Sequence, residues 1–239
     1  MSVVLALDLS TRTGWAIFKN GKLEDYGFFE HKVNDGYTSK EFPKNYLENA
    51  KAMAQDIGGI IRDYNPAHIV IEQVTLGKSI YYQKMLEWIH YAVINKANVP
   101  VEYMAVPTWR AILGVSLSSE QRKLNNKIKK EREQIKLDFE KSLAEEKKTP
   151  LSKRLKKAKN KKEEGQIKKK FNLDIKKEAS LKARKQPVII DGEKRSIVSA
   201  KNCSVDYVNE KYGFKFAKKD NDMADAICIG EAFCKKKLQ

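Results

Sequence analysis

Asn20-Gly21 stands between two strand-like runs, Trp15 to Phe18 and Lys22 to Glu30. Asn-Gly is the strongest short-range hairpin signal, because a two-residue type I′ turn needs positive φ at both positions. A further apolar run, Val3 to Asp8, precedes them across the polar turn Ser10 to Gly14. The chain therefore opens as a three-stranded meander, not as a clean alternating βαβ series. Tyr46 to Tyr64 then repeats apolar residues at helical spacing and stops before Asn65-Pro66, which cannot continue a helix. His68 to Glu72 reads as a buried strand, Ser79 to Lys96 as a helix, Val101 to Ala105 as a fifth strand, and Pro107 to Leu113 as a short helix. Ser199 to Tyr212 and Asp222 to Lys236 read as two closing helices separated by Gly213. The expectation is a mixed α/β layer.

Charge divides the 239 residues unevenly. The chain has 47 Lys and Arg against 31 Asp and Glu, a net charge of +16. From Glu120 to Pro187 the balance is 25 against 11, so this one segment holds +14 and the remainder only +2. A polyanion partner is the natural reading, and a solvated surface segment the ordinary alternative. Ser118 with Gln121 makes a capping box, and Leu124, Ile128, Ile135 and Phe139 keep to one helical face. Thr149-Pro150 interrupts, and a second Lys-rich helical stretch runs from Ser152 to Arg184. Residues 118–195 are expected as a helical insertion within a single domain spanning 1–239, a projecting hairpin or else a disordered loop.

Several classes are excluded. No run of 18 apolar residues exists, so no membrane-spanning helix is expected. The start, Met1-Ser2-Val3-Val4, does not read as a signal peptide. Cys203, Cys228 and Cys234 share no metal spacing and suit a reducing, cytoplasmic or nucleoid-associated setting, with Cys228 and Cys234 as small apolar helix residues. His31, His68 and His90 are too scattered for a zinc site.

The informative residues are acids. Asp8 and Glu72 each end an apolar strand, where an unpaired carboxylate is costly to bury. Asp222 and Asp225 lie three apart at the start of the last helix, on one face of its first turn. If the first and fourth strands are neighbours and the last helix docks across them, four carboxylates converge. Such a cluster repels itself unless protons or cations intervene, and magnesium is a hard ion suited to carboxylate oxygens. Two such ions about 4 Å apart can activate water and stabilise the leaving oxygen in phosphodiester cleavage. Each acid also has an ordinary alternative: Asp8 capping a turn, Glu72 pairing with a lysine, Asp222 and Asp225 serving the helix N-terminus.

Together, Leu5-Ala-Leu-Asp8-Leu-Ser-Thr-Arg-Thr-Gly14-Trp-Ala, Ile71-Glu72-Gln73-Val74 and Asp222-Met-Ala-Asp225-Ala resemble the RuvC-type Holliday-junction resolvases. Pro107-Thr108-Trp109-Arg110 is similar to a stretch of their phage and virus-type members. The resemblance covers about residues 1–117 and 196–239. It implies an RNase H-like fold, a five-stranded mixed sheet flanked by helices, here carrying a long basic helical insertion. It implies that Asp8, Glu72, Asp222 and Asp225 bind two magnesium ions, with manganese as a substitute, and that Lys201 faces the scissile phosphate. The implied activity is that of a crossover junction endodeoxyribonuclease of DNA recombination and repair, acting on four-way junctions as a homodimer.

The sequence departs from that pattern in two places. Bacterial resolvases place a junction-wedging aromatic after Glu-Gln-Val, where this chain has Thr75 and Leu76; Tyr81 and Tyr82 are the candidate substitutes, by stacking on an unpaired base, unless both pack on their own helix. The insertion is foreign to the compact resolvases, and its Lys129, Lys130, Lys153, Arg154, Lys156, Lys157, Lys168, Lys169 and Lys170 are candidate DNA contacts. The helical face of Tyr82, Met85, Leu86, Ile89 and Val93 is a candidate dimer surface, unless it is buried on the sheet. Two other functions stay open: a branched-DNA or flap endonuclease without junction preference, and an actin-like or sugar-kinase ATPase, whose Asp-x-Gly-Thr loop Asp8 to Thr11 partly matches.

Overall fold

The computed structural model describes residues 2–31, 40–73, 80–156, 158 and 161–238, and within these the side chains of residues 81, 82, 153, 154 and 238 are left aside. The chain divides into two compact units, residues 1–116 with 199–239, and residues 117–198.

The first unit is built on one sheet. Strands β1 (Val3–Asp8), β2 (Arg12–Lys19) and β3 (Lys22–Glu30) form the expected antiparallel meander, with Asn20 at φ 53° and Gly21 at φ 77° in the turn. Helix α1 (Lys44–Tyr64) leads to β4 (His68–Glu72), which pairs parallel to β1. Helix α2 (Ile80–Lys96) leads in turn to β5 (Val101–Met104), parallel to β4. The sheet order is β3-β2-β1-β4-β5. Helices α3 (Val106–Leu113), α7 (Ala200–Tyr212) and α8 (Asn221–Leu238) complete the unit.

Strand alternation assigns the two faces. Leu5, Leu7, Ile17, Ile69 and Ile71 point to one core, where Met53 and Ile57 of α1 and Met85, Ile89 and Val93 of α2 cover them. Val4, Ala6, Ala16, Phe18 and Val70 point to the other, against Ala226, Ile227, Ile229 and Phe233 of α8, Val205 and Val208 of α7 and Trp109 of α3. Helix α8 lies close enough to touch backbone: a Cβ on its Gly230 would stand 2.4 Å from the Phe18 ring. Cys228 and Cys234 are buried in this second core, as small apolar residues.

The candidate dimer face of α2 needs correction. Met85, Leu86, Ile89 and Val93 are buried on the sheet, because their spacing is the one that covers an apolar strand face. The outward side instead carries Tyr91 and Ile94.

The second unit contains α4 (Ser119–Glu146), α5 (Lys148–Leu155), α6 (Lys161–Lys185) and a small hairpin of β6 (Val188–Ile190) and β7 (Glu193–Arg195). The capping box forms as expected, with Gln121 N–H donating to Ser118 Oγ and Ser118 N–H to Gln121 Oε1. Helices α4 and α6 share a small core of Leu143, Ile175 and Ala179 flanked by Phe139 and Phe171. Asn125 ties down the end of the unit, donating to the Val198 carbonyl at 2.8 Å and accepting from its N–H at 2.9 Å.

Two expectations shift here. The second Lys-rich stretch is two helices, α5 and α6, and Pro150 sits in the first turn of α5, where its missing N–H breaks no helical bond. The β6–β7 hairpin was not anticipated, although Asp191-Gly192, with φ 53° and 78°, is the same kind of turn as Asn20-Gly21.

Candidate active site

The sheet register brings the first two acids together. Leu7 pairs with Ile71 across the parallel β1–β4 ladder, so Asp8 and Glu72 are the next residues on adjacent strands. Both fall on the α8 face by parity with Ala6 and Val70. The N-terminal end of α8 approaches from that side and contributes Asp222 from its first turn and Asp225 just after it. Gly14, opposite Asp8 in β2, permits the approach: a Cβ there would lie 2.0 Å from the Asp222 carbonyl oxygen. No side chain fits.

The four acids feel one another. Burial and then the charges of Glu72, Asp225 and Asp222 push the Asp8 carboxyl well above the ordinary aspartate range, against the pull of Lys201. Burial and the neighbouring Asp225 likewise raise Glu72, although the Trp109 indole donates to Glu72 Oε2 at 3.2 Å and Arg110 and Lys201 lie near. Asp225, 3% exposed, is raised by burial first. Ser204, Lys201 and Arg110 act in the opposite sense without offsetting it. The neighbouring Ser204 hydroxyl pulls Asp225 down, and among the described residues Asp225 Oδ1 is buried with no hydrogen-bond donor. Asp222 is the best-partnered acid: Arg12 Nη1 donates to its Oδ2 at 3.0 Å, Asn221 Nδ2 to its Oδ1 at 2.7 Å, and Lys201 Nζ stands 3.9 Å from Oδ1.

Three cations therefore edge the cluster: Arg12 from the start of β2, Arg110 from α3 and Lys201 from the start of α7. Arg110 stacks on Trp109 with its guanidinium carbon 4.8 Å from the ring, and among the described residues its buried Nε has no acceptor. Asp220, in the short 3-10 turn just before α8, pairs with Arg12 at 3.5 Å.

Among the described residues, no group of three or more His, Cys, Asp or Glu side chains is drawn close enough to hold a metal ion. The donor set nevertheless suits a hard divalent cation. Three carboxyls share raised proton affinity in one place, and Asp225 Oδ1 is an orphaned acceptor.

Other site residues fall in several places. Lys201 lies beside Asp222, with its side chain over half exposed. Thr75 and Lys157 lie outside the described residues, as do the side chains of Tyr81, Tyr82, Lys153 and Arg154. Lys129 and Lys130 are exposed on α4, Lys168, Lys169 and Lys170 on α6, and Lys156 just beyond α5. Sequence reasoning missed Arg12, Trp109, Arg110 and Ser204 as parts of the site. Pro107 to Arg110 carried a signal as a recognised segment, but without a role.

No family model matches the chain, and no curated protein matches it. Among solved structures it is similar to RuvC of Thermus thermophilus, at 12% identity over 99% of this chain and 96% of that one, with a TM-score of 0.49. A T. thermophilus RuvC in complex with Holliday junction substrate aligns at 15% identity over 47% of this chain and 70% of that one, with a TM-score of 0.39. The yeast mitochondrial Holliday junction resolvase Ydc2 aligns at 13% identity over 99% and 79%, with a TM-score of 0.43. The chain's own strand order and senses, an antiparallel β1–β3 meander extended by parallel β4 and β5 and flanked by helices, give it an RNase H-like fold.

Proposed function

We propose that the chain is a magnesium-dependent, structure-selective DNA endonuclease that resolves four-way junctions. The observation that carries this reading is the convergence of Asp8, Glu72, Asp222 and Asp225 into one mutually repelling cluster with Lys201 at its edge. Asp8, Glu72, Asp222 and Asp225 would hold two magnesium ions, which when bound supply charge neutralisation at the phosphate and an activated water. Lys201 would balance charge on an approaching phosphodiester. The Trp109 indole orients Glu72 by its hydrogen bond, and Arg12 fixes Asp222. A four-way junction is two-fold symmetric and must be nicked on opposed strands, so the working assembly is a homodimer.

The ATPase alternative loses ground at the β1–β2 turn. Ser10 N–H donates to Thr13 Oγ1 and Arg12 N–H to Ser10 Oγ, so these two backbone donors are engaged within the turn itself. A phosphate cradle needs such groups turned outward.

Digestion of matched four-way junction, fork, flap and duplex substrates tests the proposal. Paired nicks in the junction are expected with magnesium or manganese, leaving ligatable 5′-phosphate ends, and none in EDTA. Calcium should support binding with little cleavage, because its looser shell misplaces the water. Equal cutting of flap and junction would favour the branched-DNA reading, and undiminished cleavage in EDTA would remove the metal.

A further inference from the structure

The second unit holds a feature that the candidate active site does not use. Between α4 and α6 lies a cleft of about 470 Å3 lined by Lys136, Lys176, Lys177, Ser180, Leu181 and Arg184. Four of these six residues are cations, and among the described residues no carboxylate lines the cleft. Lys136 is shared with Glu133 at 3.0 Å and Glu140 at 3.9 Å on its own helix. Among the described residues, Lys176, Lys177 and Arg184 have no ion-pair partner. Lys177, Ser180, Leu181 and Arg184 follow one another at helical spacing, so they form a continuous wall. From Lys177 to Arg184 that wall runs roughly 10 Å at 1.5 Å per residue.

We infer that this cleft is a site for the phosphodiester backbone of duplex DNA. Three unneutralised cations flanking a serine hydroxyl are the donor set that phosphate oxygens accept from, and the arginine fork matches a phosphate in two-point fashion. The cleft lining has no aromatic ring on which an unpaired base could stack, which separates it from a single-strand site. Among the described residues its lining has no Asn, Gln or acid to pair an adenine or cytosine edge, and its cations are assigned to phosphate oxygens. The surrounding excess of 25 basic over 11 acidic residues between 120 and 187 adds a field of the same sign. These residues differ from the lysines singled out in the sequence, which had only the charge run as a guide. The inference takes its partner from the DNA-cleaving reading above, and its test separates the two.

The test uses the full chain and a plain duplex in EDTA, so that neither a junction nor cleavage is required. K176A/K177A/R184A should bind the duplex about tenfold or more weakly at low salt. The slope of log affinity against log salt should become shallower by up to about 2.7, or about 0.9 for each phosphate that the variant no longer neutralises. K123A/K127A/K141A removes the same charge from the opposite face of α4 and should leave the slope nearly intact. K176R/K177R/R184K should restore binding. Alanine is the best helix former, so circular dichroism should show unchanged helix content in both alanine triples. Equal losses in the cleft and control triples would overturn the cleft as a site and leave only a diffuse field. Junction cleavage by a wild type whose duplex-binding slope the cleft triple does not alter would sink the cleft and leave the nuclease. A wild type that binds duplex through the cleft yet never cuts would do the reverse.

Discussion

Arg12 Nη1 donates to Asp222 Oδ2 at 3.0 Å, and the same guanidinium lies 4.0 Å over the Phe28 ring. The hydrogen bond joins residues 210 apart in the chain and places a fixed positive charge against one acid of the cluster. Arg12→Ala should therefore destabilise the protein in EDTA by about 2 kcal/mol, the usual range for a hydrogen bond to a charged group. Millimolar magnesium should recover much of that loss, because a bound cation replaces the missing charge. Denaturant melts of wild type and variant, each with and without magnesium, check this; an equal loss in both conditions would show that Arg12 serves packing alone.

Asp8, Glu72 and Asp225 all hold protons more tightly in the folded chain than an ordinary carboxyl does. For acids raised on folding, their contribution to stability is full below the unfolded pKa, about 4, and is lost as pH rises through the folded values. Asp8→Asn removes one of these ionisations. It should flatten the fall in stability above that pH and raise the melting temperature at neutral pH in EDTA. Cleavage should be nearly abolished while junction binding holds or improves. Parallel stability curves for wild type and variant would refute the mutual repulsion.

Glu231 is the opposite case. It is 4% exposed on α8, and burial alone would raise it, but Lys211, Tyr207, Lys235 and Tyr212 all donate to it and hold it below the usual glutamate range. Tyr207 and Tyr212 reach it at 2.8 and 2.9 Å. This acid contributes stability above its unfolded pKa, which is lost as pH falls through its lowered folded value. Glu231→Gln should cost about 3 kcal/mol at neutral pH, because it removes the charge that Lys211 and Lys235 pair with and turns an NH2 group toward donors that need an acceptor. The loss should shrink as pH falls from the ordinary glutamate range through the lowered folded value, where the wild type also protonates. Residual cleavage at low temperature should remain metal-dependent, since Glu231 is not among the cluster acids.

The parts of the fold legible in the sequence were those set by local chemistry. Asn20-Gly21 specified one hairpin, Asn65-Pro66 ended α1, and the Val4-Ala6-Asp8 and Val70-Glu72 alternation put two acids on one side of the sheet. The convergence of the four acids depended on a condition, that β1 and β4 be neighbours, which only the tertiary pairing supplies. Arg12 and Trp109 were not legible, because their partners Asp222 and Glu72 are distant in sequence and nothing local marks either as a donor. The α2 face was ambiguous because both sides carry large apolar residues, Met85 and Ile89 inward, Tyr91 and Ile94 outward. The cleft of the second unit was hidden for a similar reason: lysines recur throughout the segment, and only the packing of α4 against α6 selects Lys136, Lys176, Lys177 and Arg184.

Gly14 supplies the sharpest test of how the site is positioned. Its requirement is for space, since an added Cβ would meet the Asp222 carbonyl oxygen at 2.0 Å and its carbonyl carbon at 2.3 Å. Those atoms belong to the backbone of α8, so no side-chain rotation can relieve the clash, and the first turn of the helix must move. Asp222 and Asp225 move with it, while Asp8 and Glu72 stay with the sheet. Gly14→Ala should cost about 1–3 kcal/mol, as overpacking does in a filled core. The catalytic cost should be larger: a misplacement near 1 Å lowers kcat by about a hundredfold. Duplex affinity, which draws on the second unit, should change little. Gly165→Ala in α6 is the matched control, because nothing lies within 4 Å of its Cβ and alanine favours the helix. It should raise stability by up to about 1 kcal/mol and leave kcat alone. Normal turnover by Gly14→Ala would mean that α8 tolerates the displacement, and that the acids at its N-terminal end are not held in register with the strand acids by this close approach.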